Sequence, residues 1–316
     1  VRLADHPLER RNAFLPRPRG RWLAKRDGGG GVGATSGKLQ AITFLTSVLI
    51  GLTFLLASPA FAQSNPPPLV LLLHGSSQSG ADILYETQLD KRASEIGATV
   101  LAPSGKGGVW RAEDLPSLQA LIKSAIETGQ ADPSRIVVAG FSNGGDMAWR
   151  LACSDAVPIA AIIAAGMPIQ KSISANCEAK KPVRVLIFGG TADPLVPYRG
   201  GALPIFDGFG VLSTDDTAAF WAKHNQCAAG PFTRESRAPT GSDRVGVNQI
   251  EWQGCQAPVA LFSLVGGGHV WPNQPGFHPL SYQRLRGPIS RSVDTVSEIA
   301  KLIAALPFSK PEPTNQ

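Results

Sequence analysis

A serine, an aspartate and a histidine, each just past an apolar run that reads as a buried strand, are the residues of this chain whose types and order could do covalent chemistry. Ser142 lies in Gly140-Phe141-Ser142-Asn143-Gly144, a G-x-S-x-G pattern between the β-branched run "RIVVAG" and the helical pattern "GGDMAWRLAC". A serine hydroxyl is a poor nucleophile at neutral pH, so acyl transfer needs it exposed, beside a base and next to donors for an oxyanion. Flanking glycines permit a sharp strand-to-helix turn, and the N–H of Asn143 falls at a helix N-terminus, where negative charge is favoured. In folds that present serine this way, the acid and then the histidine follow in chain order, each past the carboxyl end of a strand. Asp193 follows "VRVLIFGG" and His269 follows "VALFSLVGGG". His269 is expected to take the Ser142 proton and return it to a leaving alcohol, while Asp193 fixes the imidazole tautomer.

The competing residues are few. Besides His269, the segment after residue 62 holds His74, His224 and His278; His278 is the alternative base, His224 falls mid-helix, and His74 in "LLLHGSS" reads as a structural residue of its loop. Asp215 and Asp216 are the alternative acids, placed in the first turn of a helical pattern. The loop after the early strand "PLVLLLHG" is expected to supply a second oxyanion N–H, assigned to Ser76 with Ser77 as its neighbouring option; Gly75 allows close backbone approach. Trp110, Tyr198, Phe209 and Trp271 fall in loops at strand carboxyl ends and read either as walls of an aromatic cleft or as loop anchors. Trp110, Tyr198 and above all Trp271 are taken as substrate-binding candidates.

These residues need strands to carry them. Continuously apolar runs at 68–75, 98–103, 135–140, 159–166, 183–190 and 259–268 alternate with helical patterns at 81–96, 114–129, 144–153, 214–226 and 292–305. That alternation predicts an α/β fold with a mainly parallel sheet covered by helices on both faces. Residues 231–254 read as a hairpin or extended edge. No glycine-rich phosphate loop, dinucleotide fingerprint or metal-ligand spacing is present, so no cofactor and no metal are expected.

Composition separates the first 62 residues from the rest. The chain has 316 residues, 43% hydrophobic and 17% charged, with a formal charge of +6. All of that excess lies in residues 1–62, which hold nine Lys and Arg and three Asp and Glu, so no nucleic-acid footprint is expected on the remainder. Residues 1–37 read as a non-domain leader upstream of a misplaced start. Residues 38–62 read as a secretory signal peptide, with Ala60 and Ala62 forming an A-x-A site; the rival reading is a retained membrane anchor. A catalytic domain is expected over 63–306 and a flexible tail over 307–316. Cys153, Cys177, Cys227 and Cys255 all follow the signal, and an even number in an exported chain favours two disulfides. Three connectivities are open; proximity favours Cys153–Cys177 and Cys227–Cys255.

Taken together, "LLLHGSSQSGAD", "GFSNGGDMAWRLAC", "GGTADPLVPYRGG" and "VGGGHVWP" resemble the secreted poly(3-hydroxybutyrate) depolymerase-like esterases, the group that includes the feruloyl and acetylxylan esterases of carbohydrate esterase family 1. The resemblance spans residues 68–305. It implies an α/β-hydrolase fold with Ser142, Asp193 and His269 as catalytic triad, and supports pairing the cysteine that ends the nucleophile helix with the one before the acid-bearing strand. There are departures: Ser76 stands where the family often has Cys, and the antiparallel strands that usually open the fold have no counterpart before "PPPLVLLLHG". Ser-Asn-Gly-Gly resembles the feruloyl-esterase branch. The implied activity is that of a secreted serine esterase, extracellular or periplasmic, acting on feruloyl or acetyl esters of polysaccharide fragments. Hydroxybutyrate oligoesters are the alternative substrate, and a non-catalytic binding protein on the same scaffold is the alternative class. The expected partner is a small or oligomeric ester; neither nucleic acid nor stable membrane association after signal cleavage is expected.

Overall fold

Residues of β1 (Leu69–Leu73) are all fully buried, and alternate side chains go to opposite sides of the sheet, as strand geometry requires. Leu69, Leu71 and Leu73 join one apolar cluster, and Val70 and Leu72 the other. Two-sided burial is why the strand has no polar alternation. The computed structural model describes residues 65–203, 209–239, 243–274 and 284–307. The leader and signal readings over 1–62, the base alternative His278 and the tail beyond residue 307 lie outside the described residues.

The other strands are β2 (Thr99–Leu101), β3 (Ile136–Phe141), β4 (Ala161–Ala165), β5 (Arg184–Gly190), the short β6 (Gly201–Ala202) and β7 (Gly210–Val211), β8 (Ala229–Arg237), β9 (Gly246–Gln253) and β10 (Val259–Val265). Eight form one sheet in the order β2-β1-β3-β4-β5-β10-β9-β8. The first six run parallel; β9 and β8 are antiparallel at one edge. β6 and β7 make a separate small hairpin. Among the described residues no antiparallel strand precedes β1; the antiparallel pair at the edge spans Ala229–Gln253, over the stretch 231–254 read as a hairpin or extended edge. β8 is exposed throughout, and its Arg234, Glu235 and Arg237 make it a poor template for another strand.

The helices are α1 (Gly80–Thr87), α2 (Ala93–Ile96), α3 (Leu115–Glu127), α4 (Asn143–Cys153), α5 (Lys171–Ala175), α6 (Thr214–His224) and α7 (Thr295–Ala304). Leu118, Ile122 and Ala125 of α3, Met147 and Leu151 of α4 and Trp221 of α6 cover one face of the sheet. Ile83 of α1, Ile96 of α2 and Val296, Ile299 and Ile303 of α7 cover the other. The helix expected over 81–96 is broken: Gln88 adopts φ 56° and its N–H returns to Leu84 O at 2.7 Å. The turn lets Leu89 bury completely. Two disulfides, Cys153–Cys177 and Cys227–Cys255, join residues 24 and 28 apart, loop lengths for which the lost chain entropy is worth about 3 kcal/mol each. No helix among the described residues is long and apolar enough to cross a membrane.

Helix α4 comes very close to β1. A Cβ on Gly144 would lie 2.2 Å from Leu73 O and 2.6 Å from His74 O, and one on Gly140 would lie 2.2 Å from Gly144 O. Gly144→Ala is therefore expected to cost at least about 1–3 kcal/mol, read as a lower thermal midpoint; an unchanged midpoint would contradict the close approach. A second prediction concerns acid. Burial opposes ionisation of Asp294, but hydrogen bonds from Arg92 and Ser297 outweigh it and bring its pKa from the ordinary 3.8 to about 2. Arg92 Nη1 lies 2.9 Å from Asp294 Oδ1, tying α2 to the cap of α7. This contribution is complete above pH about 4 and disappears as pH falls towards 2, so Arg92→Ala should flatten that part of the acid-unfolding profile.

Candidate active site

Between β3 and α4 the chain turns on one residue. Ser142 sits at φ 52°, ψ −120°, a conformation that costs a non-glycine residue of order 1–3 kcal/mol and persists only where its surroundings impose it. They do so through Ser142 N–H to Ala165 O at 2.9 Å, Asp146 N–H to Ser142 O at 3.1 Å, and the Gly140–Gly144 contact. The turn aims the hydroxyl away from the strand.

His269 meets that hydroxyl. Its Nε2 lies 2.8 Å from Ser142 Oγ and its Nδ1 lies 2.7 Å from Asp193 Oδ2. Asp193 is acceptor-only when ionised, so Nδ1 carries the proton and Nε2 accepts from the serine. The other Asp193 oxygen accepts from the N–H groups of Leu195 and Val196, both at 2.8 Å. Side chains of His269 and Asp193 are 4% and 2% exposed, dry enough to strengthen their electrostatic coupling. The acid and base loops are stitched together: Thr191 N–H donates to Leu264 O, Ala192 N–H to Gly267 O, and Gly266 N–H to Thr191 Oγ1. A side chain on Gly190 would collide with Gly267 O and Gly268 O at 2.4 Å.

The alternative acids point elsewhere. Asp215 accepts the Tyr198 hydroxyl at 2.7 Å and Asp216 accepts from Ser213 Oγ. His74 has no exposed surface; its Nε2 accepts from Gly105 N–H at 2.9 Å, leaving Nδ1 to donate to Gly75 O. Burial pushes its pKa down, so the ring stays neutral and ties two loops together. Gly75 N–H goes to Gln78 Oε1 and Ser77 N–H to Gly108 O. Of these three, Ser76 N–H alone has no partner among the described residues. The N–H of Asn143, in the first position of α4, likewise has no intrahelical acceptor.

The aromatic candidates separate. Trp110, Met167 and Phe209 line a cavity of about 580 Å³ together with Ser76 and Asn143. Trp110 is also an anchor, its indole N–H donating to His74 O. Tyr198 does not line that cavity; it lies beneath the acid loop, where burial pushes its phenol up. Trp271 requires a correction. It is 1% exposed, packs in the core on the α7 side, and its indole donates to Thr295 Oγ1 at 2.9 Å. Its role is to fix the stretch after His269, because a large indole two residues from the imidazole is worth more to the core than to the cleft.

Several partners carry no local sequence signal. The Asn143 side chain clamps the backbone of Trp110, accepting from its N–H at 2.6 Å and donating to its O at 3.0 Å. Gln78, which holds Gly75, is itself held by Glu86 at 2.7 Å, a carboxyl that burial pushes upward. Asp146, Arg150 and Gln170 form a hydrogen-bonded cluster on the cavity wall.

A family model described as Phospholipase/Carboxylesterase matches residues 111–204, a stretch that includes Ser142 and Asp193 but not His269. The chain is 28% identical over 227 residues to feruloyl esterase B of Piromyces equi, which covers 66% of this chain and 41% of that protein. It is 26% identical over 182 residues to the "Probable feruloyl esterase C" of Aspergillus flavus, covering 55% and 58%. Among solved structures it is similar to the acetyl xylan esterase from Aspergillus awamori, at 17% identity and TM-score 0.49, covering 70% of this chain and 89% of that one. The chain thus spans about two fifths to three fifths of the length of these two feruloyl esterase relatives.

The Asn143 clamp can be tested directly. Asn143→Ala removes two hydrogen bonds of about 1 kcal/mol each, which for a domain of this size lowers the melting temperature by roughly 4–8 °C. Calorimetry that found no change would show that Trp110 is held by other means.

Proposed function

We propose that the chain is an α/β-hydrolase of the kind of its feruloyl esterase and carboxylesterase relatives, a serine carboxylic ester hydrolase working through an acyl-enzyme. The observation that carries this reading is the continuous hydrogen-bond chain Asp193–His269–Ser142, with the serine held at positive φ. As Ser142 Oγ attacks the ester carbonyl, its proton passes to His269 Nε2 and Asp193 stabilises the imidazolium. The developing oxyanion is received by the N–H groups of Ser76 and Asn143, which lie on the cavity side of the serine. Collapse of the tetrahedral intermediate breaks the bond to the alcohol, which leaves with the proton from His269. Water then attacks the acyl-serine by the same steps in reverse order.

The substrate class is a feruloyl or acetyl ester of a polysaccharide fragment. Supporting it are the names of the relatives and a cavity whose Trp110, Met167 and Phe209 offer apolar surface to a planar acyl group. Two disulfides support an oxidising, extracellular or periplasmic compartment.

Ser142→Ala and Asp193→Asn are expected to lower kcat on 4-nitrophenyl acetate about 10³–10⁴-fold or more, with circular dichroism unchanged. Turnover retained in Ser142→Ala would sink the assignment of the nucleophile. Wild-type protein that is folded yet inert on methyl ferulate, acetylxylan, hydroxybutyrate oligomers and aryl acetates would favour a binding protein on this scaffold.

A further inference from the structure

We infer that the cavity beside Ser142 holds a carboxylate-binding subsite built on Arg150, so that the preferred ester carries an anionic group remote from the bond that is cleaved. The inference rests on the ester-hydrolase reading and adds a substrate feature to it. Asn143, Asp146 and Arg150 are spaced by three and four residues, which puts them on one face of α4, and all three line the cavity. Nearly every other residue of α4 is buried in the core. A helix otherwise surrounded by protein turns a guanidinium towards the hollow lined by Ser76 and Asn143, the residue next to the nucleophile.

Arg150 is held for a purpose. Its Nε donates to Asp146 Oδ2 at 2.9 Å, and Gln170 Nε2 donates to Asp146 Oδ1 at 2.6 Å. Asp146 and Gln170 are 6% and 5% exposed, so both carboxylate oxygens are engaged in fixing this cluster. Burying an acid is costly unless it is paired, and here the pairing sets the direction of Arg150. Only Nε is used. The two terminal amino groups have no partner among the described residues, and their edge presents two parallel donors, the geometry that matches a carboxylate bidentately.

The remaining charges of the cavity agree with an anion. Arg111 and Glu113, the other charged residues of the wall, are both exposed, screened by water and opposite in sign, which leaves the partly buried Arg150 as the cation that faces the hollow. Arginine side chains on a helix lean towards its N-terminus, as the bond to Asp146 four residues earlier shows. With a rise of about 1.5 Å per residue from Ser142, the guanidinium ends roughly 6–10 Å along the helix from the nucleophile. An ester bearing a carboxylate at that reach, on its acyl or its alcohol side, would engage both ends of the cavity.

The test compares matched esters on the intact protein. On the acyl side, the mono-4-nitrophenyl esters of adipate and suberate are set against uncharged 4-nitrophenyl acyl esters of equal length; on the alcohol side, 4-acetoxybenzoate is set against its methyl ester. Wild type is expected to favour the anionic member of one pair by about tenfold or more in kcat/KM, through a KM that rises with salt. Arg150→Gln should remove that preference, and Arg150→Lys should keep part of it. A wild-type ratio near one in every pair, or an Arg150→Gln loss equal for charged and uncharged members, would overturn the subsite. If no ester is turned over, the ester-hydrolase reading fails separately, and calorimetric titration with monomethyl suberate decides the subsite: binding abolished by Arg150→Gln upholds it, and no binding overturns it.

Discussion

Everything around the site depends on how closely α4 can approach the carboxyl end of β1. Gly144 lets the helix backbone come against Leu73 O and His74 O, and Gly140 lets the strand before Ser142 tuck under the helix start. With those two contacts in place, the backbone at Ser142 has no relaxed alternative, and positive φ is imposed rather than chosen. The same approach brings the first N–H of α4 beside the loop of Ser76. The direction of the hydroxyl and the placing of two backbone donors are therefore consequences of a single packing constraint.

The acid and base reach Ser142 through a second, independent constraint. β5 and β10 are parallel neighbours, and the loops leaving them are hydrogen-bonded to each other before either side chain reaches the site. Asp193 and His269 are thus positioned as a pair, while Trp271 and α7 hold the base loop from behind. β9 and β8 extend the sheet beyond this pair, with β9 bonded along β10 as far as Val265.

Much of this was legible in the sequence because it rests on order and burial. Strands buried on both faces must be continuously apolar, so β1, β3, β4, β5 and β10 announce themselves, and the residues following β3, β5 and β10 could be picked as site residues. The break at Gln88 was not legible, since a polar residue in left-handed conformation interrupts a pattern whose apolar period continues through it. Trp271 misled because an aromatic residue next to a candidate base looks the same in sequence whether it faces the cleft or the core. Asp146 and Arg150 carry no sequence signal beyond a spacing of four residues. Only the packing of α4, buried on nearly all sides, shows that this face opens on a cavity.

The two hydrogen bonds between the Asn143 side chain and the Trp110 backbone give the cavity a mechanical property. Trp110 forms part of the wall that a bound group presses on, and Asn143 carries a candidate oxyanion N–H on the same residue that grips the wall. A ligand too bulky for the hollow would push Trp110 outward and pull on the residue that must stay still during attack. On the proposed ester-hydrolase reading, fit would then be read out as reactivity: a poorly fitting ester would disturb the N–H that is to receive the oxyanion, and discrimination would appear in the rate of attack even where affinity is unchanged.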